Sequence, residues 1–181
     1  MQADQVAVLE RRWQTVTPMP AAFEGLFRAE YARVARIAYR VAGDQGEAED
    51  VAQDVFVAFY RAHPADAAYA AAWLHQAAAH AALNVIRART RRVAREERDA
   101  LARETPADPE SAALERERAR EVRAALARMP RAAATLLALR YSGLSYAEVA
   151  AATGIKIDQI GTRLRRAHDA FRKEVSRGQH R

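Results

Sequence analysis

Apolar residues recur at three- and four-residue intervals along most of the chain, which predicts amphipathic helices and no strand. From Ala21 to Val41 one stripe holds Phe23, Leu26, Phe27, Val34, Ala38 and Val41. Gly43-Asp44-Gln45-Gly46 reads as a turn. A second helix follows from about Glu47 to Ala62, with Ala48, Val51, Val55, Phe56 and Phe59 inward. Its outer side carries Asp50, Gln53 and Asp54, which the i, i+3, i+4 spacing gathers into one polar patch. His63-Pro64-Ala65-Asp66 breaks that helix. A third runs from about Ala68 to Arg92, with Trp73, Leu74, Ala77, Leu83 and Ile86 as core and a basic end at Arg87, Arg89, Arg91 and Arg92.

The pattern then lapses. Val93 to Ala107 is of mixed charge and low apolar content, too little to fold alone, and reads as an interdomain linker. Helix resumes with Asp108 as N-cap and Pro109 at the first helical position. Ala119, Val122, Leu126 and Met129 form its inner stripe, and Pro130 opens a further helix ending near Tyr141-Ser142-Gly143. Ser145 and Glu148 make a capping box for a short helix, Tyr146 to Ala152, closed by Thr153-Gly154. A last helix runs from about Ile157 to Val175, with Ile157, Ile160, Leu164, Ala167 and Phe171 inward. At the front, Met1 to Pro20 carries Val6, Leu9 and Trp13 at helical spacing before the helix-breaking Thr17-Pro18-Met19-Pro20. The expected fold is all-α: an extension over 1–20, a helical domain over 21–92, a flexible linker over 93–107 and a second helical domain over 108–181. The two domains are expected to move independently.

Composition narrows the function. The 181 residues hold no Cys, which excludes disulfides, thiolate metal sites and cysteine nucleophiles. The net charge of +6 is a mild basic excess, unevenly spread. Residues 21–70 carry five Arg against eight acids; 71–106 carry seven Arg against four; 156–181 carry eight Lys and Arg against three. An acidic front and two basic blocks suit partners of different kinds. No apolar run approaches membrane-spanning length, and the first residues lack a basic start followed by an apolar stretch, so the expectation is a soluble cytoplasmic protein. Catalysis has little to stand on. His63, His75, His80, His168 and His180 form no Glu-x-x-His or His-x-x-x-His pair, the four Ser sit at caps, turns or the tail, and no Gly-rich phosphate loop occurs. No catalytic residue, metal ligand or cofactor is assigned, and the chain is expected not to be an enzyme.

The segment from Ser145 to Phe171 is the strongest functional signal: a capped short helix, a Gly turn and a basic helix, the pattern of a helix-turn-helix. With the inner stripe facing the core, the last helix turns Asp158, Gln159, Thr162, Arg163 and Arg166 outward. Gln can pair adenine and Arg can pair guanine in the major groove, while further Arg hold phosphates.

The same stretch closely resembles the second DNA-binding domain of the extracytoplasmic-function sigma factors. The likeness rests on Gly143-Leu144-Ser145-Tyr146-Ala147-Glu148-Val149-Ala150, Thr153-Gly154-Ile155, Thr162-Arg163-Leu164 and Arg166-Ala167. The front half resembles the first domain of that family through Arg36-Ile37-Ala38-Tyr39-Arg40, Gly43-Asp44 and Glu47-Ala48-Glu49-Asp50-Val51-Ala52-Gln53-Asp54-Val55-Phe56. Trp73-Leu74, Asn84 and the Arg-rich run from Arg87 to Arg92 continue it. The resemblance spans about Phe23 to Arg172 and implies a factor that binds core RNA polymerase and directs promoter-specific initiation, reading −35 and −10 elements and helping to melt DNA.

Residue by residue, the resemblance assigns Asp50, Gln53 and Asp54 to the clamp helices of the polymerase β′ subunit. It assigns His80, Asn84, Arg87 and Arg91 to the −10 strand, and Gln159, Thr162, Arg163, Arg165 and Arg166 to the −35 duplex. Trp73 reads as core rather than as a stacking platform. Partners are thus core polymerase and promoter DNA, with an anti-sigma factor as a further candidate. Three positions depart from the family: His80 stands where Asn is usual, the loop from His63 to Tyr69 is Ala-rich without the usual basic and Gly residues, and Gly161 replaces the commoner Lys. The alternative is a helix-turn-helix regulator that does not bind polymerase. The last domain fits it; the front half resembles neither a ligand-binding nor a receiver domain.

Overall fold

A computed structural model describes residues 19–99 and 110–179, which form seven helices. They are α1 (Ala21–Ala42), α2 (Gln45–Ala62), α3 (Ala70–Asp99), α4 (Glu110–Arg128), α5 (Arg131–Tyr141), α6 (Tyr146–Thr153) and α7 (Ile157–Gln179). No strand occurs among the described residues. The extension up to Pro18, the centre of the linker, and the Asp108 cap with Pro109 lie outside them.

The turns have local causes. Gly43 ends α1 in the left-handed region, φ 73°, and its amide donates to the Tyr39 carbonyl. A Cβ there would lie 2.3 Å from the Arg123 guanidinium, the far end of a flexible side chain that can swing aside, so it is the left-handed backbone that calls for glycine. Asp44 then caps α2 by accepting from the Glu47 amide, so Gln45 and Gly46, expected in the turn, already belong to the helix. Ser145 and Glu148 form the full capping box at α6, and Gly154, φ 70°, closes that helix.

α1, α2 and α3 form a three-helix unit, and α4 to α7 form a second, in which α7 lies across α4, α5 and α6. Val34, Ile37, Phe59, Leu74, Leu83 and Ile86 fill the first core; Leu139, Leu144, Val149 and Ile160 fill the second. Ile37 joins the expected stripe of α1. His75 is buried against α1, with Nε2 2.7 Å from Glu30 Oε2. Arg128 fastens the far end of α7 to α4 through the Glu174 carboxylate and carbonyl, at 3.1 and 2.9 Å.

Further expectations change. α3 runs on through Asp99, so the segment expected to be linker from Val93 starts as helix; Arg92 and Glu96 pair one turn apart there, and charged pairs of this kind support exposed helix without a core. Ile157, expected inside, is 57% exposed. It is the first residue of α7, and helical side chains lean toward the N-terminus, so it points past the end of the packed surface. Val122 is likewise exposed, at the mouth of a cleft of about 320 Å³ shared with Val41, Leu126, Leu137 and Phe171.

The two units, expected to be independent, meet along α3, which touches α4, α5 and α6 as well as α1 and α2. The seam is polar at its edges. Arg33 on α1 donates to Glu148 on α6 at 2.6 Å, and Arg131 on α5 donates to Asn84 on α3 at 2.7 Å.

Candidate nucleic-acid interface

The buried stripe of α7 is Ile160, Leu164 and Ala167, and this fixes what the opposite face offers. Gln159, Thr162, Arg163, Arg165 and Arg166 are all exposed, as the periodicity predicts, and Asp158 stands with them at the first turn. Arg163 donates weakly to Gln159 one turn earlier, at 3.4 Å, so the two share a single patch. α6 is held below by its capping box. Glu148 there accepts from the Ser145 amide and hydroxyl and from Arg33, and these bonds hold its carboxyl at about 2, well under the usual carboxylate range.

A wide basic cleft flanks this face, lined by Arg140, Tyr146, Arg165, His168 and Arg172 among others. Arg140 lies in the last turn of α5, donates to the Leu144 carbonyl at 3.2 Å and sits 5.7 Å from the Tyr146 ring centre. Arg140 and Tyr146 escape a reading of α7 alone, because they come from other helices; the Ser142-Gly143 turn after Arg140 is the only sequence cue. Gly161 opens the same cleft. A Cβ there would make ordinary contact with Tyr146 at 3.6 Å, so sterics do not demand the glycine.

In the first unit, Asp50, Gln53 and Asp54 are exposed on α2 and form the expected patch. The sequence pattern does not reveal what adjoins it: a groove lined by Met19, Phe23, Phe27, Phe56, Val57 and Tyr60 that reaches Gln53. Val57 and Tyr60 are nearly half exposed, so the polar patch continues into an apolar one.

The basic row of α3 has a different setting. Arg91 is exposed, and Asn84 is exposed with its Oδ1 taken by Arg131. Arg87 is half-buried and donates to the carbonyls of Ala127 and Met129 at 3.2 and 3.1 Å, where α4 ends and its dipole is negative. His80 is half-buried; burial, then Arg131 and Arg87, push its pKa below the ordinary imidazole value. Before α3, His63 stacks on Phe59 with ring centres 5.1 Å apart and lies 3.3 Å from the Tyr69 hydroxyl. Trp73, expected as core, is half-buried and packs on Phe59 and His63. The Ala-rich loop is therefore bordered by aromatic faces, the type of surface on which an unpaired base stacks.

Residues 26–92 match the family described as Sigma-70 region 2, and residues 119–168 match that described as Sigma-70, region 4. The ECF RNA polymerase sigma factor SigE of Mycolicibacterium smegmatis is 30% identical over 166 residues. The chain belongs to the extracytoplasmic-function sigma factors. It spans 63% of the length of that relative, which in turn aligns with 88% of this chain. The solved structure of CnrH in complex with the cytosolic domain of CnrY matches with a TM-score of 0.54 at 21% identity, over 90% of this chain and 93% of that one, a likeness of fold. In this sigma factor, region 2 thus holds α1, α2, the aromatic loop and the basic row of α3. Region 4 holds the end of α4, the basic cleft and the outward row of α7. No described helix is long and apolar enough to cross a membrane, and no group of three or more metal-ligating side chains occurs among the described residues.

Proposed function

We propose that this chain binds core RNA polymerase and directs it to promoters, reading a −35 element as duplex and a −10 element as separated strand. One observation carries the reading: an exposed acid-and-amide patch in region 2 and an exposed Gln–Arg row in region 4 stand on one chain. Asp50, Gln53 and Asp54 dock on the β′ clamp, where an acidic patch suits a basic coiled coil and steers encounter. Gln159, Thr162, Arg163 and Arg166 read the major groove, and Arg165 holds backbone phosphate. His80, Asn84, Arg87 and Arg91 contact the −10 strand. The factor performs no catalysis of its own, needs no cofactor or metal, and works in the cytoplasm, where an anti-sigma factor is a further partner. In domain terms, 21–92 takes polymerase and the −10 element, 108–181 takes the −35 element, and 93–107 joins them.

The test is retention of core polymerase. The protein binds it, and Asp50→Lys with Asp54→Lys together weaken binding at least about thirtyfold, since like charges brought together cost several kcal/mol. Both side chains are exposed, so the unfolding midpoint stays where it was. Unchanged binding at moderate salt would refute the assignment of this patch.

A further inference from the structure

The apolar groove beside the polymerase patch has an aromatic floor and an open rim. Phe23 and Phe27 on α1 pack against Phe56 on α2, with ring centres 6.2 and 4.9 Å apart, and Tyr60 closes on Phe23 at 4.8 Å. Met19, Val57 and Tyr60 form the rim, each nearly half exposed, around a space of about 460 Å³. Large apolar side chains gathered in water around one groove mark a surface that binds something. We infer that the chain's own first residues, Met1 to Pro18, occupy it: Val6, Leu9 and Trp13 sit on the aromatic floor, and Arg11 and Arg12 turn to Asp50 and Asp54. The docked segment and core polymerase then contend for one face. That contention, though not the docking, rests on the polymerase assignment above.

Connectivity favours this occupant. Met19 is both a wall of the groove and the residue that follows the segment, so the segment is tethered at the site and acts at high effective concentration. Length fits as well. Phe23 meets Tyr60 and Phe27 meets Phe56, so α1 and α2 run antiparallel and the groove extends from Tyr60, beside the start of α1, to Gln53. Tyr60 and Gln53 are seven helical positions apart, about 10 Å. Val6 and Trp13 are also seven positions apart, so on a helix their stripe is as long as the groove. Gln14 to Pro18 can stretch about 17 Å, enough to carry Trp13 from Met19 to the Gln53 end, from where the stripe runs back toward Tyr60. Charge fits the same direction. Arg11 and Arg12 precede Trp13, and this brings them to the end of the groove where Asp50 and Asp54 flank Gln53. Neither carboxylate has an ion-pair partner among the described residues, so two exposed acids stand ready for two bases.

The chain holds two tryptophans, Trp13 and Trp73, so Trp73→Phe leaves Trp13 as a single reporter in the full-length protein. Its fluorescence is shielded from acrylamide, at every protein concentration. Leu9→Ser, which removes one anchor, and Val57→Asp, which puts a charge on the partly exposed rim, each release it. If about nine molecules in ten are docked, quenching rises about tenfold on release. Leu9→Ser changes no charge, and by freeing the shared face it tightens binding to core polymerase by up to the same factor. Three results overturn the docking: a Trp13 as open to quencher in the parent as in free tryptophan amide, shielding that survives both substitutions, or shielding that fades on dilution, which would assign the groove to a second copy. Release of Trp13 by Leu9→Ser with polymerase binding unchanged overturns the shared face. If Trp13 behaves as expected but no form of the chain binds core polymerase, the docking stands and the polymerase reading falls.

Discussion

α7 and α3 each turn a row of basic and amide side chains away from their own cores, and the two rows meet different surroundings. Gln159, Arg163 and Arg166 face open space. Asn84 and Arg87 face the second region, which supplies Arg131 to one and the end of α4 to the other. The difference follows from position. α7 closes its domain from one side, with α4, α5 and α6 beneath it and nothing described above it. α3 is the central helix of the molecule, with α1 and α2 on one side and α4, α5 and α6 on the other. An outward row on an outer helix is ready for a ligand; the same row on a central helix already has a partner, and a ligand must displace it.

That contrast can be broken by mutation. On α7, altering a reader should change recognition and leave the fold alone. Gln159→Ala is expected to cost about 1–3 kcal/mol of promoter binding at one base position, relaxing preference there, with the unfolding midpoint unchanged. Its neighbour Arg165 gives the control: Arg165→Ala weakens all sequences alike and lowers the salt slope by about one. Binding to a library of upstream elements at two salt concentrations separates these outcomes. If Gln159→Ala leaves sequence preference intact, this part of the α7 row does not read bases.

On α3 the expected effect is smaller and of another kind. Arg87→Ala removes the donor to two carbonyls at the end of α4, and hydrogen bonds to charged groups contribute about 1.5–3 kcal/mol each before solvent takes over the partly exposed site. A loss of about 1–2 kcal/mol in denaturant stability of the free protein is expected alongside any effect on DNA. A free protein of undiminished stability would show that the α3 row is as unencumbered as that of α7.

The smallest effect belongs to Glu148, which serves both regions as N-terminal cap of α6 and partner of Arg33. Its carboxyl sits at about 2 in the folded chain, against about 4.5 when unconstrained. A depressed acid contributes stability that is full above its unfolded value and is lost as pH falls through the folded one. The Glu148 side chain is 35% exposed, so solvent screens much of what that shift would imply, and Glu148→Gln, which keeps a bonding side chain but no charge, should cost only about 0.3–1 kcal/mol at neutral pH. The gap between parent and variant should close between about pH 4.5 and 2, followed by chemical denaturation across that range. A gap that does not vary with pH would show that charge contributes nothing there.

Helix positions were legible in the sequence because each has a local cause. The Ser145–Glu148 box and Gly154 are short-range signals, and they place α6 and the turn before α7 to within a residue or two; α2 starts two residues before the expected Glu47, because Asp44, expected in the turn, caps it. The outward row of α7 was legible too, since three buried positions at helical spacing fix the opposite face. What escaped is what depends on residues far apart in the chain. Arg131 reaches across 47 positions to Asn84 and Arg33 across 115 to Glu148, and periodicity says nothing about such pairs. The apolar groove beside Gln53 escaped for the same reason, since Phe23 and Phe27 come to it from α1 and Val57 and Tyr60 from α2. Ile157 misled because its spacing fits the buried stripe while its place at the helix start leaves nothing above it.

The central claim is that both regions serve one act, placing polymerase at a promoter. Transcription from a library of genomic fragments, with purified core polymerase and this chain as the only added factor, tests it most directly. Initiation at discrete sites sharing a spaced pair of sequence elements is expected, lost with Asp50→Lys and Asp54→Lys and shifted in upstream preference with Gln159→Ala. Transcripts that are no more frequent or better placed than with core polymerase alone would contradict it.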